Sequence, residues 1–260
     1  MVRRDRLGFP LFGRGDPGDR VRVSEPRRPV RPDGVAAGVP GRVWYAAYAS
    51  NMHAARFACY LRGGRPAGGA RVYPGCRDAA PPGRTVPVVL PGRLYFALES
   101  QVWTGGLGLY DPCDGGEAVG RAYLVTVGQF SDIAAQEMRR LPGGDLDPVR
   151  AVRDGRDAFG PVRDGRDAFG PGRYETLVCP GWLDGFPVLT VTAPWRSGDV
   201  PGNAPAAAYL RHLGAGLCEA HGWTAERSAA YLAECPGARG VWSPGEIAQL
   251  LRESRLSPER

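Results

Sequence analysis

The sequence predicts an α+β fold, and three observations carry that prediction. Between residues 43 and 193, short apolar runs alternate with Gly- and Pro-rich breaks, as strands closed by turns do. From Pro205 onward, apolar residues fall at helical spacing and helix-start signals appear. A chain of 260 residues with 43% hydrophobic content also has enough apolar side chain for a sizeable core.

The elements follow in order. Val43 to Tyr48 reads as an apolar, aromatic strand that breaks at Ala49-Ser50-Asn51 into a small polar turn. Such a strand-to-helix junction leaves backbone N–H groups free for a carboxylate or an oxyanion. A helix is predicted over 52–62, with Ala54, Ala55, Phe57, Ala58, Tyr60 and Leu61 as its apolar positions. An irregular Gly/Pro/Arg segment comes next. Strands are then predicted over 93–98, 107–110 and 121–127, and the apolar density of the last implies burial on both faces. Phe130, Ile133, Ala134 and Met138 share one face of a short helix predicted over 130–140, which sets Glu137 near its C-terminal end. Strands over 174–179 and 186–193 flank a Pro180 to Gly185 connection, where Asp184-Gly185 supplies the turn. Pro205 to Ala220 has helical spacing, Thr224 opens a further helix, and Ser243-Pro244-Gly245-Glu246 reads as a capping box.

Residues 152–161 and 162–171 repeat the same ten residues, Val-Arg-Asp-Gly-Arg-Asp-Ala-Phe-Gly-Pro. Two copies are too few and too short for a solenoid, whose units run to roughly 20 residues or more. Interleaved Arg and Asp predict a duplicated, solvated surface loop, and their mutual neutralisation argues against a calcium loop.

Charge is unevenly placed. Residues 1–42 hold ten Arg against five acids, and the remaining 218 residues hold 23 Arg against 22, so the net charge of +6 lies mostly in the first segment. A nearly neutral body argues against a nucleic-acid surface. No Lys occurs and Ile133 and Ile247 are the only isoleucines, a bias toward residues with GC-rich codons. The six cysteines form no Cys-x-x-Cys pair and read as free thiols. No run approaches the roughly 18 apolar residues of a membrane span, and the N-terminus lacks a secretion-signal core, so a cytoplasmic protein without a membrane partner is expected.

Few residues suit chemistry. His53, His212 and His221 lack metal-ligand spacing, and no Gly-x-Ser-x-Gly elbow supports a Ser nucleophile, although Ser50 lies in the polar turn. Three carboxylates sit among apolar neighbours: Glu99, Asp111 and Glu137. Burial there raises a carboxyl pKa toward neutrality, which suits a general base acting on an ammonium proton.

The order of these features resembles the γ-glutamylcyclotransferase superfamily, which includes glutathione-directed enzymes and the cyclotransferase of butirosin biosynthesis. An aromatic strand leads into Tyr48-Ala49-Ser50-Asn51, then come Trp103-Thr104-Gly105-Gly106, the Gly120-Arg121-Ala122-Tyr123 strand, a helix ending in Gln136-Glu137, and Tyr174. In that family a Tyr-Gly-Ser-Asn loop after the first strand binds the γ-glutamyl group, and a Glu at the end of a later helix is the general base. The resemblance therefore implies that Glu137 is catalytic and that Tyr48, Ala49, Ser50, Asn51 and Tyr174 bind substrate. Residues 204–232, with His221-Gly222-Trp223 between their helices, are similar to the helical tail of the glutathione-type enzymes. Two positions depart: Ala49 stands where the family has Gly, and Met138 follows Glu137 where glutathione-type enzymes have Gly. A methyl at a position needing positive φ costs about 1 kcal/mol or more.

The resulting expectation is a small mixed β barrel or curled sheet with flanking helices and a helical C-terminal tail. Residues 1–40 form a disordered Arg/Pro-rich leader, 41–235 the cyclotransferase-like domain with its duplicated surface loop at 152–171, and 236–260 a C-terminal helical extension. The expected reaction is cyclisation of a small-molecule L-γ-glutamyl amide to 5-oxoproline with release of an amine, a lyase reaction needing neither metal nor organic cofactor. Alternatives are an amide hydrolase or deacylase using the same Glu137, and a non-catalytic metabolite binder. The oligomeric state stays open.

Overall fold

The computed structural model describes residues 24–30, 41–67, 69–148, 152, 166–168 and 170–256. In chain order it has β1 (Arg42–Ala47), a 3-10 turn (Ser50–Met52), α1 (Ala54–Arg62), β2 (Arg84–Pro91), β3 (Arg93–Ala97), β4 (Leu107–Asp111), β5 (Glu117–Thr126) and α2 (Val127–Glu137). There follow β6 (Arg166–Ala168), β7 (Thr176–Leu183), β8 (Phe186–Thr192), α3 (Ala207–His221), α4 (Ala225–Glu234) and α5 (Pro244–Leu256). The α+β class expected from the sequence is what forms.

β1 lies inside a six-stranded sheet of order β2-β5-β1-β8-β7-β6. It runs antiparallel to β5, with Val43 opposite Val125 and Tyr45 opposite Tyr123, and parallel to β8, with Trp44 opposite Val188. Paired on both edges and covered on both faces, Val43 to Ala47 are all buried, which explains why this strand is continuously apolar instead of alternating. β5 is buried from Ala118 to Val125 for the same reason. Among the described residues the sheet ends in two different strands, so it is not a closed barrel.

Residues 24–30 reveal the curl and correct part of the leader expectation. The backbone of Arg27 donates to Pro87 O and accepts from Val89 N of β2, both at 2.9 Å, while Val30 exchanges two hydrogen bonds with Trp182 of β7. β5, β1 and β8 separate those strands in the sheet order, so only a curled sheet lets one short segment reach both. A Pro-rich chain is already extended and fits an edge that needs partners. Residues 1–23 and 31–40 lie outside the described residues.

Two further elements differ from the sequence reading. β2 falls in the stretch read as irregular; its Pro87 is tolerated because β2 is an edge strand, where a missing N–H leaves the main ladder intact. β7 runs on through Trp182 and Leu183, leaving Asp184 (φ +51°) and Gly185 (φ +80°) as a two-residue hairpin loop with both residues left-handed. Most of the duplicated unit lies outside the described residues, apart from Val152, β6, which pairs with β7, and the 170–171 end.

The β3–β4 hairpin forms a separate two-stranded layer, tied to the sheet where Thr192 Oγ1 bonds the backbone of Tyr110 at both N and O. Thr224 caps α4, and Ser243 and Glu246 form the capping box of α5, as the sequence indicates. Ala238, Ile247, Ala248 and Leu251 from the last segment share the main core with β1 and α3. Among the described residues no helix is long and apolar enough to cross a membrane.

α3 lies directly against the turn after β1. A Cβ on Gly216 would stand 2.5 Å from Met52 Cβ and 2.9 Å from His53 N. Gly216→Ala should therefore lower stability by about 1–3 kcal/mol, because forced overpacking outweighs the helix-propensity gain of Ala. Chemical denaturation checks it, and an unchanged or raised midpoint would contradict the close packing.

Candidate active site

The turn at 49–52 is held from three sides. Tyr123 donates its hydroxyl hydrogen to Asn51 O at 2.8 Å, Met52 N bonds Ala49 O, and α3 closes the outer face. Ser50, Asn51 and Met52 are buried. Ala49 has φ −128°, so its backbone conformation does not demand glycine. Room for its methyl comes from across the pocket wall: a Cβ on residue 108 would lie 3.3 Å from Ala49 Cβ, and residue 108 is Gly.

α2 delivers Glu137. Its start is a capping box in which Gln129 N bonds Thr126 Oγ1 and Thr126 N bonds Gln129 Oε1. Its inner face is pinned by buried polar groups, since Asp132 accepts from Arg77 N and Nε at 2.8 and 2.9 Å. Gln136, fully buried, donates to Tyr60 O and accepts from Gly75 N. The helix closes in a Schellman motif, with Arg139 N on Gln136 O and Arg140 N on Ala135 O. Arg139 occupies its left-handed position at φ +61°, where Gly is the usual residue, while Met138 keeps φ −74°.

Glu137 then meets the turn. Asn51 Nδ2 donates to Glu137 Oε1 at 2.9 Å and approaches Tyr45 Oη at 3.1 Å. One pocket is lined by Tyr48, Ala49, Ser50, Asn51, Glu137 and Tyr174, so the structure brings all six sequence-derived site residues together. Tyr48 and Tyr174 act partly as props: their hydroxyls donate to Val191 O at 2.9 Å and Gly108 O at 3.0 Å. Tyr174 precedes β7 instead of opening it.

Burial raises the Glu137 carboxyl pKa above its ordinary value, against the opposing pull of Arg56, Tyr60, Arg71 and Asn51. The other two carboxylates singled out from sequence do structural work. Glu99 accepts from Gly105 N and Asn203 Nδ2, and buried Asp111 accepts from Cys113 N and Ser197 N. His53 and His212 come together, with ring centroids 5.7 Å apart, and burial beside His53 pushes His212 down to about 4. Among the described residues no group of three or more His, Cys, Asp or Glu could hold a metal ion.

Sequence reasoning missed the pocket's arginines. Arg56 on α1 is only 4% exposed; its guanidinium lies 4.5 Å from the Tyr73 ring centroid and 5.0 Å from that of Tyr60, and its Nη2 donates to Tyr73 Oη at 2.6 Å. Arg71, Arg139 and Arg173 also line the pocket. The spacing of Arg56, four residues before Tyr60 and next to Phe57, was the available signal.

No family model matches the chain. It is 32% identical over 205 residues to histone deacetylase 5 of Arabidopsis thaliana, an overlap covering 73% of this chain and 30% of that protein. The chain thus spans about a third of the curated relative's length. Among solved structures, it is similar to the uncharacterized human protein loc79017 (15% identity, TM-score 0.43) and to a γ-glutamyl cyclotransferase (17%, TM-score 0.40), each alignment covering 82% of this chain and 99% of the other. YkqA of Bacillus subtilis overlaps at 17% identity and TM-score 0.37, over 76% of this chain and 56% of its own.

A raised carboxyl pKa has a sign in stability. The folded state holds the Glu137 proton more tightly than the unfolded chain does, so stability falls as pH climbs from the ordinary carboxylate range through the raised folded value. Glu137→Gln removes that penalty. Its thermal midpoint should exceed that of the native protein at neutral pH, with the gap closing as pH falls into the ordinary carboxylate range; a gap independent of pH would contradict the shift.

Proposed function

We propose that this pocket closes an L-γ-glutamyl amide on itself, releasing 5-oxoproline and a free amine. The observation that carries the reading is the Asn51–Glu137 contact, which places a carboxylate of raised pKa beside the turn after β1. Glu137 takes a proton from the substrate α-ammonium. The freed amine attacks the γ-carbonyl carbon, the new C–N bond closes the five-membered ring, protonated Glu137 returns its proton to the departing amine as the old C–N bond breaks, and the ring nitrogen gives up its second proton to water. Ala49, Ser50 and Asn51 orient the glutamyl head by backbone and side-chain hydrogen bonds. Asn51 Oδ1, buried without a partner, is an acceptor suited to an ammonium N–H. Nucleophile and electrophile belong to one molecule, so holding the chain curled supplies much of the acceleration.

A second reading has one observation in its favour, the deacetylase name of the Arabidopsis relative. There Glu137 would activate water in place of an amine, and the product would be a free acid. Mass spectrometry of reactions with γ-glutamyl compounds separates the two. The cyclisation reading expects 5-oxoproline from the native protein and a loss of roughly 10²–10⁴-fold in Glu137→Gln, the usual scale of a general base. Free glutamate or acetate in place of 5-oxoproline supports hydrolysis, and undiminished turnover by Glu137→Gln removes Glu137 from either mechanism.

A further inference from the structure

Arg56 presents an unusual imbalance. It is 4% exposed, yet Nε and Nη1 have no hydrogen-bond partner, and only Nη2 is engaged, by Tyr73. No carboxylate of the described residues pairs with it within ion-pair distance. Its ring neighbours Tyr60, Tyr73 and Trp103 hold the guanidinium by cation–π contact, with centroids at 5.0, 4.5 and 5.9 Å. Those contacts hold the group while leaving two of its three nitrogens, Nε and Nη1, without a hydrogen-bond partner. A buried charge with unused donors is costly unless the site is completed by an anion, and a guanidinium N–H makes a strong charge-assisted hydrogen bond to a carboxylate.

The rest of the wall points the same way. The pocket lining contains Arg56, Arg71, Arg139 and Arg173 against the single carboxylate of Glu137. The last three are secured through neutral groups: Arg71 to Gln136 O, Arg139 to Gln101 and Arg173 to Glu99 O. Arg139 stands in the left-handed slot at φ +61° that ends α2, where Gly is the usual residue. A positive lining focuses field into a cleft and concentrates anions there.

We propose that Arg56 is the carboxylate anchor of this pocket, with the other three arginines forming a positive approach that delivers an anionic ligand to it. With the cyclisation reading, the carboxylate is the α-carboxylate of the γ-glutamyl group. The wall then matches an amino-acid zwitterion: Glu137 and Asn51 Oδ1 accept from the ammonium, and Arg56 donates to the carboxylate from Nε or Nη1. The anchor itself does not depend on the reaction, since it is defined by a carboxylate and not by what happens to the amide.

Glutarate is the probe, because it carries the chain length and carboxylate of a glutamyl group without an amine or an amide to react. Glutaramide is its uncharged control. Calorimetric titration of the full chain should show glutarate binding that falls at least tenfold in Arg56→Met and partly recovers in Arg56→Lys, whereas glutaramide binding is the same in all three. In the native protein, the Arg56 Nε–H resonance should shift on adding glutarate, a readout that survives even if the variants fold poorly. Equal glutarate affinity in Arg56→Met and the native protein, equal loss of both ligands, or an unmoved Nε–H resonance would overturn the anchor. Native protein that binds glutarate through Arg56 but forms no 5-oxoproline would overturn the cyclisation reading alone.

Discussion

The hydrogen bond from Asn51 to Glu137 joins two parts of the chain that are each held by their own set of contacts. On one side stands β1, clamped between β5 and β8 and ending in a turn that Tyr123 and α3 hold in place. On the other stands α2, started by the Thr126–Gln129 capping box and pinned through Asp132 and Gln136 to the segment around 75–77. Neither side chain would be placed by local structure alone. The 2.9 Å contact exists because two rigid supports converge, which is the condition for a site held within a fraction of an ångström.

Electrostatics at the site is a contest between burial and positive charge. Desolvation pushes the Glu137 carboxyl toward its neutral form, and Arg56 and Arg71 pull it back toward the ionised one. A carboxyl balanced between these pulls suits a group that must accept a proton and then return it. Tyr45, Tyr60 and Tyr174 around it are raised above the ordinary phenol value by burial, so they remain hydroxyl donors.

Much of this was legible in the sequence, and the parts that were not have physical reasons. Strands β1, β3, β4 and β8 announce themselves by apolar runs, because burial on both faces leaves little room for polar residues. β2 hid behind Pro87 and Pro91, whose missing N–H groups are tolerated because β2 lies at the sheet edge. The start of α2 was hidden as well: Thr126 and Val127 read as the end of a strand, although Thr126-x-x-Gln129 is a capping signal in its own right. Residues 24–30 show the limit of composition, since a charged, Pro-rich segment finds a place on the sheet through backbone bonds that no side-chain pattern encodes. In the site, the six residues implied by family resemblance meet in one pocket. Arg56 was overlooked because a charged residue on a helix is by default a solvated one; what keeps it inside is the ring of Tyr60, Tyr73 and Trp103 contributed by three separate segments. At Ala49 the backbone conformation, φ −128°, does not itself require glycine, and the small residue that makes room for its methyl, Gly108, is far away in sequence.

The central claim is that Glu137 is a proton acceptor poised by its surroundings, and its own titration tests that most directly. Carbon-13 NMR of the Glu137 carboxyl carbon, assigned by its absence in Glu137→Gln, follows the group's ionisation with pH. The account requires a midpoint above the ordinary glutamate range, as burial dictates. A midpoint at or below that range would mean that the arginines prevail over burial, and the case for Glu137 as the base would fail.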